Sequence, residues 1–590
     1  MELSFKIPND QQQCQELLKM VDEDWLQKRQ NWTFLGQLLH NILKEQGLIL
    51  FERYTPEEFK NDCNEVFENF TKTVHGLKAF KTMTKRMNVQ LFSKWQRQVI
   101  KAAALGAIDE LAARTEIADI SRFMFDFEFV CTDVKRQRWM HFNGGKWEVL
   151  SGGHSMKQKF SRELEPIFKR IYKNMETLEE DQKLIQMKKK CAQIIRDLKE
   201  PGQKETLLKE CSEIFFVQDF EKDCDEQPML TNFKNGIYDF EKMIFRPGYP
   251  EDMMTLQMNA NYPENCTWED EGVKYIQEFY RKILIDEDKR DYCLGMKAEY
   301  LTGGNDRKEL VMHIGPTAHN GKTTSNDFDL FTFGSYADKL PSSVLTGKDV
   351  ANGGANPALA GTKATRLQQI DETRKDQDFN ASFMKVATGN DKIWARPLYS
   401  NGFSFTPQFT VIIIGNDAPS AKKCVGDAGA VTRWVWLNYD SRFVRNAPET
   451  EEEQWAKRIF PADPHIKFKL QKYPDEYVWL LVEIKKKTNK HGIKVPADVI
   501  KKTEEYRYKS DPYLQFKDQC LIQSKNARIE VKELYNEFKI WYSASFPGAK
   551  LDDRTIFDQE IERVLGDPAG SAGMYFGYKI KGEIKRTYEQ

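Results

Sequence analysis

The chain has 590 residues, 40% hydrophobic and 30% charged, with a formal net charge of −1; that length holds several domains with sizeable cores. A near-neutral balance excludes a globally basic nucleic-acid binder, so any contact with DNA must come from a local basic surface. No apolar run approaches the roughly 20 residues of a membrane span, the N-terminus lacks a signal pattern, and ten cysteines without ligand-like spacing read as reduced thiols and no structural zinc.

In chain order, residues 1–115 predict a helical module. Residues 24–43 follow helical spacing, Thr55 with Pro56 reads as an N-cap followed by a first-turn proline, and residues 95–113 form a long Ala-rich helix. Residues 116–269 predict an α+β domain. In it, residues 138–149 read as two strands around Asn143-Gly144-Gly145. Residues 174–199 read as one charged helix with a solvated face, stopped by Pro201-Gly202, and residues 233–245 as a hairpin turning at 239–242. Residues 270–445 alternate strand and helix in the manner of a nucleotide-binding α/β core. Residues 446–509 form a helical connector, and 510–590 a small C-terminal domain ending in a β-wing over 572–581.

The chemistry concentrates in the core. An apolar run from Val311 ends at Gly315, and the following loop ends in Asn320-Gly321-Lys322-Thr323-Thr324. Small and turn-prone residues let backbone N–H groups face phosphate oxygens over a helix N-terminus. Lys322 would reach the outer phosphates of ATP, and the Thr323 hydroxyl would ligate Mg²⁺. Five residues separate Gly315 from Gly321, one more than the usual spacing, so the loop bulges or the first Gly is shifted. About fifty residues on, an apolar strand ends in Asp371-Glu372. Asp371 would hold the Mg²⁺ water shell and Glu372 would polarise the attacking water. A third β-branched strand ends at Asn416, whose amide would orient that water.

Residues 382–399, with Lys385, Gly389, Asp391, Ile393, Ala395, Arg396 and Tyr399, resemble the extra motif of superfamily 3 helicases. The resemblance is to the poxvirus-type primase–helicase branch of large DNA viruses and some phages. It extends from about residue 120 to the end and is strongest over 300–445. It implies a multidomain α/β protein: an AAA+-like P-loop ATPase core, helical N-terminal domains and a winged-helix-like C-terminal domain. It further implies a ring, hexameric in such families, that uses ATP and Mg²⁺ and moves on single-stranded or forked DNA. Lys385, Lys392 and Arg396 would then line a central channel and grip phosphates without reading bases. Trp394, Phe403 and Phe405 read as core. The setting implied is a viral replication site inside the host cell, in cytoplasm or nucleus, with no membrane.

Two departures stand out. Asn390 replaces the second Gly of the family's Thr-Gly-Gly-Asp, and Arg433-Trp434 stands where paired arginines are expected. Arg433 is thus the candidate arginine finger acting on a neighbour's ATP, with Arg442 next in line. Asp126 and Glu128 have a spacing that two-metal primase chemistry could use, but they lie in an apolar run and read as structural. A primase would sit on another chain or a longer precursor. Two other classes stay open: an initiator or loader ATPase that melts DNA without translocating, and a weakly catalytic replication scaffold.

Overall fold

The computed structural model describes residues 7–582, apart from 110–113, 316, 347–353, 372–378, 400, 419–420, 422–423, 425 and 569–572. The chain divides into two compact units, Met1–Glu226 with Asn232–Gln257, and Gln227–Thr231 with Met258–Gln590.

In the first unit one apolar core runs without a break from Cys14 through Trp32 and Trp139 to Phe215 and Tyr249. The boundary expected near residue 115 therefore falls inside a single core. Helices Val89–Asp109 and Arg114–Phe125 both contribute to it. Thr55 does not cap a helix; its hydroxyl donates to Phe51 O at 2.8 Å and accepts from the buried Trp32 indole at 2.9 Å. The two hairpins form where the turn chemistry places them. Arg138–Phe142 pairs with Trp147–Ser151, and Asn143 Oδ1 accepts from the N–H groups of Gly145 and Lys146. Gly236–Asp239 pairs with Ile244–Arg246, and Asp239 Oδ1 accepts from Glu241 and Lys242. The charged stretch after residue 174 is not one helix. Glu165–Glu176 ends, Asp181 caps Gln182–Asp197, and Pro201 opens a further helix, Pro201–Ile214, at a position where its missing N–H costs nothing. Asp126 is bonded to Lys81 at 3.2 Å, and Glu128 to Lys85 at 2.6 Å and Lys159 at 2.9 Å, so both carboxylates serve ion pairs.

The second unit is built on five parallel strands: β1 (Leu310–Ile314), β2 (Ala337–Lys339), β3 (Leu367–Asp371), β4 (Thr410–Gly415) and β5 (Trp434–Asn438). Their order is β5-β1-β4-β3-β2. Every residue of β1 and β4 is buried, as central strands of a parallel sheet covered on both faces require. Helix α1 (Lys322–Phe333) follows the loop after β1. Further along, helix Ala497–Ser510 packs on β5, and Thr503 Oγ1 accepts from Trp436 N at 2.9 Å. The C-terminal part packs helices Pro512–Cys520, Val531–Ser545 and Arg554–Leu565 around Phe516, Phe538, Trp541 and Phe557. Beside them strand Met574–Ile580 pairs antiparallel with Leu521–Glu530, with a register break between Gln523 and Arg528.

Behind α1 lies a buried polar network. Lys297 Nζ contacts Asp329 Oδ2, Tyr477 OH donates to Asp329 Oδ1 at 2.7 Å, and Tyr280 OH lies 2.9 Å from Tyr477 OH. Burial alone would push the Lys297 ammonium down. The Asp329 carboxylate more than reverses this and holds it above its ordinary value. Removing one member strands a charge in the interior. Asp329→Ala is expected to destabilise the unit by about 3–5 kcal/mol, whereas the paired replacement Lys297→Met with Asp329→Leu costs far less. Thermal unfolding of the three proteins checks this; equal losses in both variants would show that packing, not charge pairing, matters here.

Candidate functional site

The strand order decides which chain ends meet. Because β4 lies between β1 and β3, the carboxyl ends of these three strands stand side by side, the place where open α/β sheets form crevices. An open cavity of about 500 Å³ occurs there, within the range of nucleotide and cofactor sites. Its lining includes Asn320, Gly321, Lys322, Thr323 and Thr324 from the loop and α1, Asp371 from the end of β3, and Asn416 after β4.

The long loop is accommodated by a side chain folding back. Asn320 is buried, its amide donates to Thr317 O at 2.7 Å, and a Cβ on Gly315 would collide with that amide. Gly315 itself does not line the cavity; its N–H donates to Gly415 O at 3.3 Å and ties the loop base to β4. Gly321 sits at φ +82°, which favours glycine, and offers no side-chain cap to α1. Lys322 and Thr323 thus open a helix that borders the cavity; the Lys322 N–H donates to Asn320 Oδ1 at 3.4 Å, and the N-cap residue covers none of the other first-turn N–H groups with a side chain. The Lys322 stem is buried, and its Nζ donates to Asn416 Oδ1 at 2.8 Å. Asp371 is exposed; Oδ1 accepts from Gln369 Nε2 and Oδ2 from Lys339 Nζ, both at 2.5 Å. Each carboxylate oxygen keeps a lone pair for another donor or a metal's water. Glu372 lies outside the described residues. Among the described residues no group of three or more His, Cys, Asp or Glu is placed to hold a metal ion.

The extra-motif segment forms a short helix and a hairpin. Helix Ala381–Thr388 is capped by Asn380, and strand Ile393–Ala395 pairs antiparallel with Phe403–Phe405. Lys392 and Arg396 flank the first strand and are exposed. Lys385 is not on the hairpin; its Nζ pairs with Asp427 Oδ2 at 2.5 Å. Phe405 is buried and Phe403 partly so, but Trp394 is 47% exposed, contrary to its reading as core. The reason is alternation: Ile393 and Ala395 take the inner face, and the residue between them must face out. Tyr399 went unassigned from sequence. It is 96% exposed and at φ +58°, a strained conformation for an aromatic residue. Its motif position was the available signal.

Arg433 is committed within its own chain. Its guanidinium donates to Gly429 O at 2.9 Å, and to Lys385 O and Thr388 Oγ1 at 2.6 Å each, closing the end of helix Ala381–Thr388. Arg442 begins strand Arg442–Val444 and is exposed. The next residue's N–H donates to His319 O in the loop at 2.8 Å.

Residues 118–285 match the family described as "D5 N terminal like". Across 98% of its length the chain is 25% identical to "Putative helicase L207/L206" of Acanthamoeba polyphaga mimivirus, covering 61% of that protein. It is 27% identical over 93% of its length to "Putative helicase 121R" of Invertebrate iridescent virus 3, covering 64%. The chain is related to proteins named as helicases in large DNA viruses. The expected likeness to helicases of large DNA viruses is thereby borne out. A third relative, "Putative helicase 022R" of Frog virus 3, is 24% identical over 90% of this chain. The chain spans 61%, 64% and 65% of the three relatives' lengths. Among solved structures, the C-terminal region of NrS-1 aligns over 74% of this chain and 83% of that one, at 9% identity and a TM-score of 0.34, too low to carry an argument. No helix among the described residues is long and apolar enough to cross a membrane.

Arg433→Ala should cost about 1–3 kcal/mol, because three acceptors lose a charged donor. Arg442→Ala should leave stability unchanged. Thermal shifts of the two variants decide it; an unchanged melting temperature for Arg433→Ala would free that residue for another role.

Proposed function

We propose that this chain is an ATP-dependent DNA helicase of a large DNA virus, with an AAA+-like core that works as a ring. One observation carries the reading: Lys322, Thr323, Asp371 and Asn416 converge on one cavity at the carboxyl edge of a parallel sheet. The donors fit ATP with Mg²⁺. The first-turn N–H groups of α1 and the Lys322 ammonium suit the outer phosphates, while Thr323 and Asp371 would hold the ion in a shell completed by phosphate and water. Bound there, Mg²⁺ would neutralise charge that develops on the phosphates. Glu372 would accept a proton from the attacking water, and Asn416 would orient that water.

In a ring, an arginine from the neighbouring subunit would stabilise transition-state charge. Arg433 would have to abandon three hydrogen bonds for that task, while among the described residues the Arg442 guanidinium bonds to none, so Arg442 becomes the better finger. The exposed hairpin residues Lys392 and Arg396 would hold the strand's phosphates, and Tyr399 would stack on a base. A separate primase as partner and a winged-helix role for the C-terminal domain belong to the same reading.

Lys322→Ala should abolish ATP turnover with normal folding, and Glu372→Gln should bind ATP but hydrolyse it at least about a hundredfold more slowly. Full turnover in Lys322→Ala would overturn the site. Mixing Lys322→Ala with Arg442→Ala protein should restore part of the activity, since some interfaces then pair an intact loop with an intact arginine. No recovery with confirmed subunit exchange would place that arginine in cis.

The hairpin is tested by unwinding of forked DNA. Lys392→Ala with Arg396→Ala should keep basal ATPase but lose DNA stimulation and strand separation, whatever the sequence, with a shallower salt dependence of binding. Tyr399→Ala should weaken single-strand binding about fivefold or more without changing that salt slope. Normal unwinding in both would take these residues out of the DNA path, whereas no strand separation by the unmodified chain would favour the loader or scaffold readings.

A further inference from the structure

The first unit carries a groove that the ATPase reading leaves unused. It lies between helices Val89–Asp109 and Glu165–Glu176 and has a free volume of about 280 Å³. Lys94, Arg97 and Lys101 rise from one helix, Arg170 from the other, and Ile167 and Ile171 form the floor. The cations at 94, 97 and 101 follow the spacing that puts residues on one helix face.

Several lysines of the same unit are matched by a carboxylate: Lys81 with Asp126, Lys85 and Lys159 with Glu128, Lys169 with Glu165. Among the described residues none of the four groove cations is paired with a carboxylate, and none of the groove's lining residues is acidic. Helix Val89–Asp109 has no acidic residue before its last position, so local i,i+4 neutralisation is impossible. All four cations are exposed, over an apolar floor that concentrates their field.

We propose that this groove binds the phosphate backbone of double-stranded DNA without regard to sequence. Lys94 to Lys101 spans about 10 Å of helix, which matches about three consecutive phosphates on one strand of a duplex. The groove lining contains no aromatic ring, so it offers nothing on which an unpaired base would stack. A rigid row of charges facing a rigid row of phosphates suits a duplex.

The test uses the full chain carrying Lys94→Gln, Arg97→Gln, Lys101→Gln and Arg170→Gln. Binding of a labelled blunt duplex and of a labelled single strand is followed by anisotropy across a salt series. The expected result is a loss of duplex affinity of about tenfold or more near 0.1 M salt, and a salt slope shallower by about three. Single-strand binding and DNA-free ATP turnover should not change. A benzoylphenylalanine placed at Gln98 should crosslink to the duplex. Unchanged duplex binding and slope would overturn the proposal, as would an equal loss for duplex and single strand. Loss of binding to a polyglutamate peptide with the duplex retained would reassign the groove to an acidic protein segment. If the fourfold variant fails to fold, Lys94→Gln and Arg170→Gln singly should each lower the slope by about one, and no change in either would count against the groove.

Discussion

A lysine and an aspartate, both fully enclosed, hold the helix that opens with Lys322. Asp329 lies two turns along α1 from Lys322, and the partners of its carboxylate come from two other helices: Lys297 from Glu287–Glu299 and Tyr477 from Pro474–His491. Tyr280, on Glu271–Ile283, joins through Tyr477 and accepts from Ser325 Oγ at 3.2 Å. Four helices are thereby fixed around one ion pair. A buried pair of this sort contributes little net stability, because desolvation offsets most of the attraction. What it does supply is a single permitted position. Sliding α1 by even part of a turn would separate the Lys297 and Asp329 charges and break the bonds that Tyr477 and Ser325 make across it, so the loop at its N-terminus is held in place from behind.

The sheet imposes the second constraint. A nucleotide-hydrolysing site needs a cation, an acid and an amide within a few ångströms, yet Lys322, Asp371 and Asn416 are spread over almost a hundred residues. Inserting β4 between β1 and β3 solves the problem, because the amide strand then ends between the cation and the acid. The 2.8 Å bond from Lys322 to Asn416 is a direct consequence of that adjacency. The extra loop residue does not disturb it. Asn320 turns inward over Gly315, and the glycine at 315 is needed for the space rather than for a phosphate contact.

Much of this was legible in the amino-acid sequence where the signal is local. The runs at 310–314, 367–371 and 410–415 read as buried strands, and the Asn143 and Asp239 turns lie where side-chain acceptors predict them. Long-range facts were not legible. Arg433 is bonded to residues 45 and 48 positions away, and no spacing announces that. The shared core of the first unit joins residues near 14 to residues near 249, so a change of local character near 115 mimicked a boundary. Pro201 was ambiguous in kind, since the same residue that ends one helix can begin the next. Trp394 could have been read correctly, because Ile393 and Ala395 on either side already claim the inner face of a three-residue strand.

Cations on this chain therefore differ in kind according to whether an acid stands beside them. Lys385, which the extra motif marks for DNA, is neutralised by Asp427, and Lys339 by Asp371. Exposed pairs such as these are worth little to stability, but in each the carboxylate cancels most of the field its lysine would project at a distance. Among the described residues no acid is paired with Lys392, which stands next to a strand anchored by Ile393 and Ala395. The same distinction separates the groove cations of the first unit from the paired lysines around them. On a chain whose net charge is −1, attraction for a polyanion has to be built in this way: cations left without acids, mounted on rigid elements, set where a strand can approach.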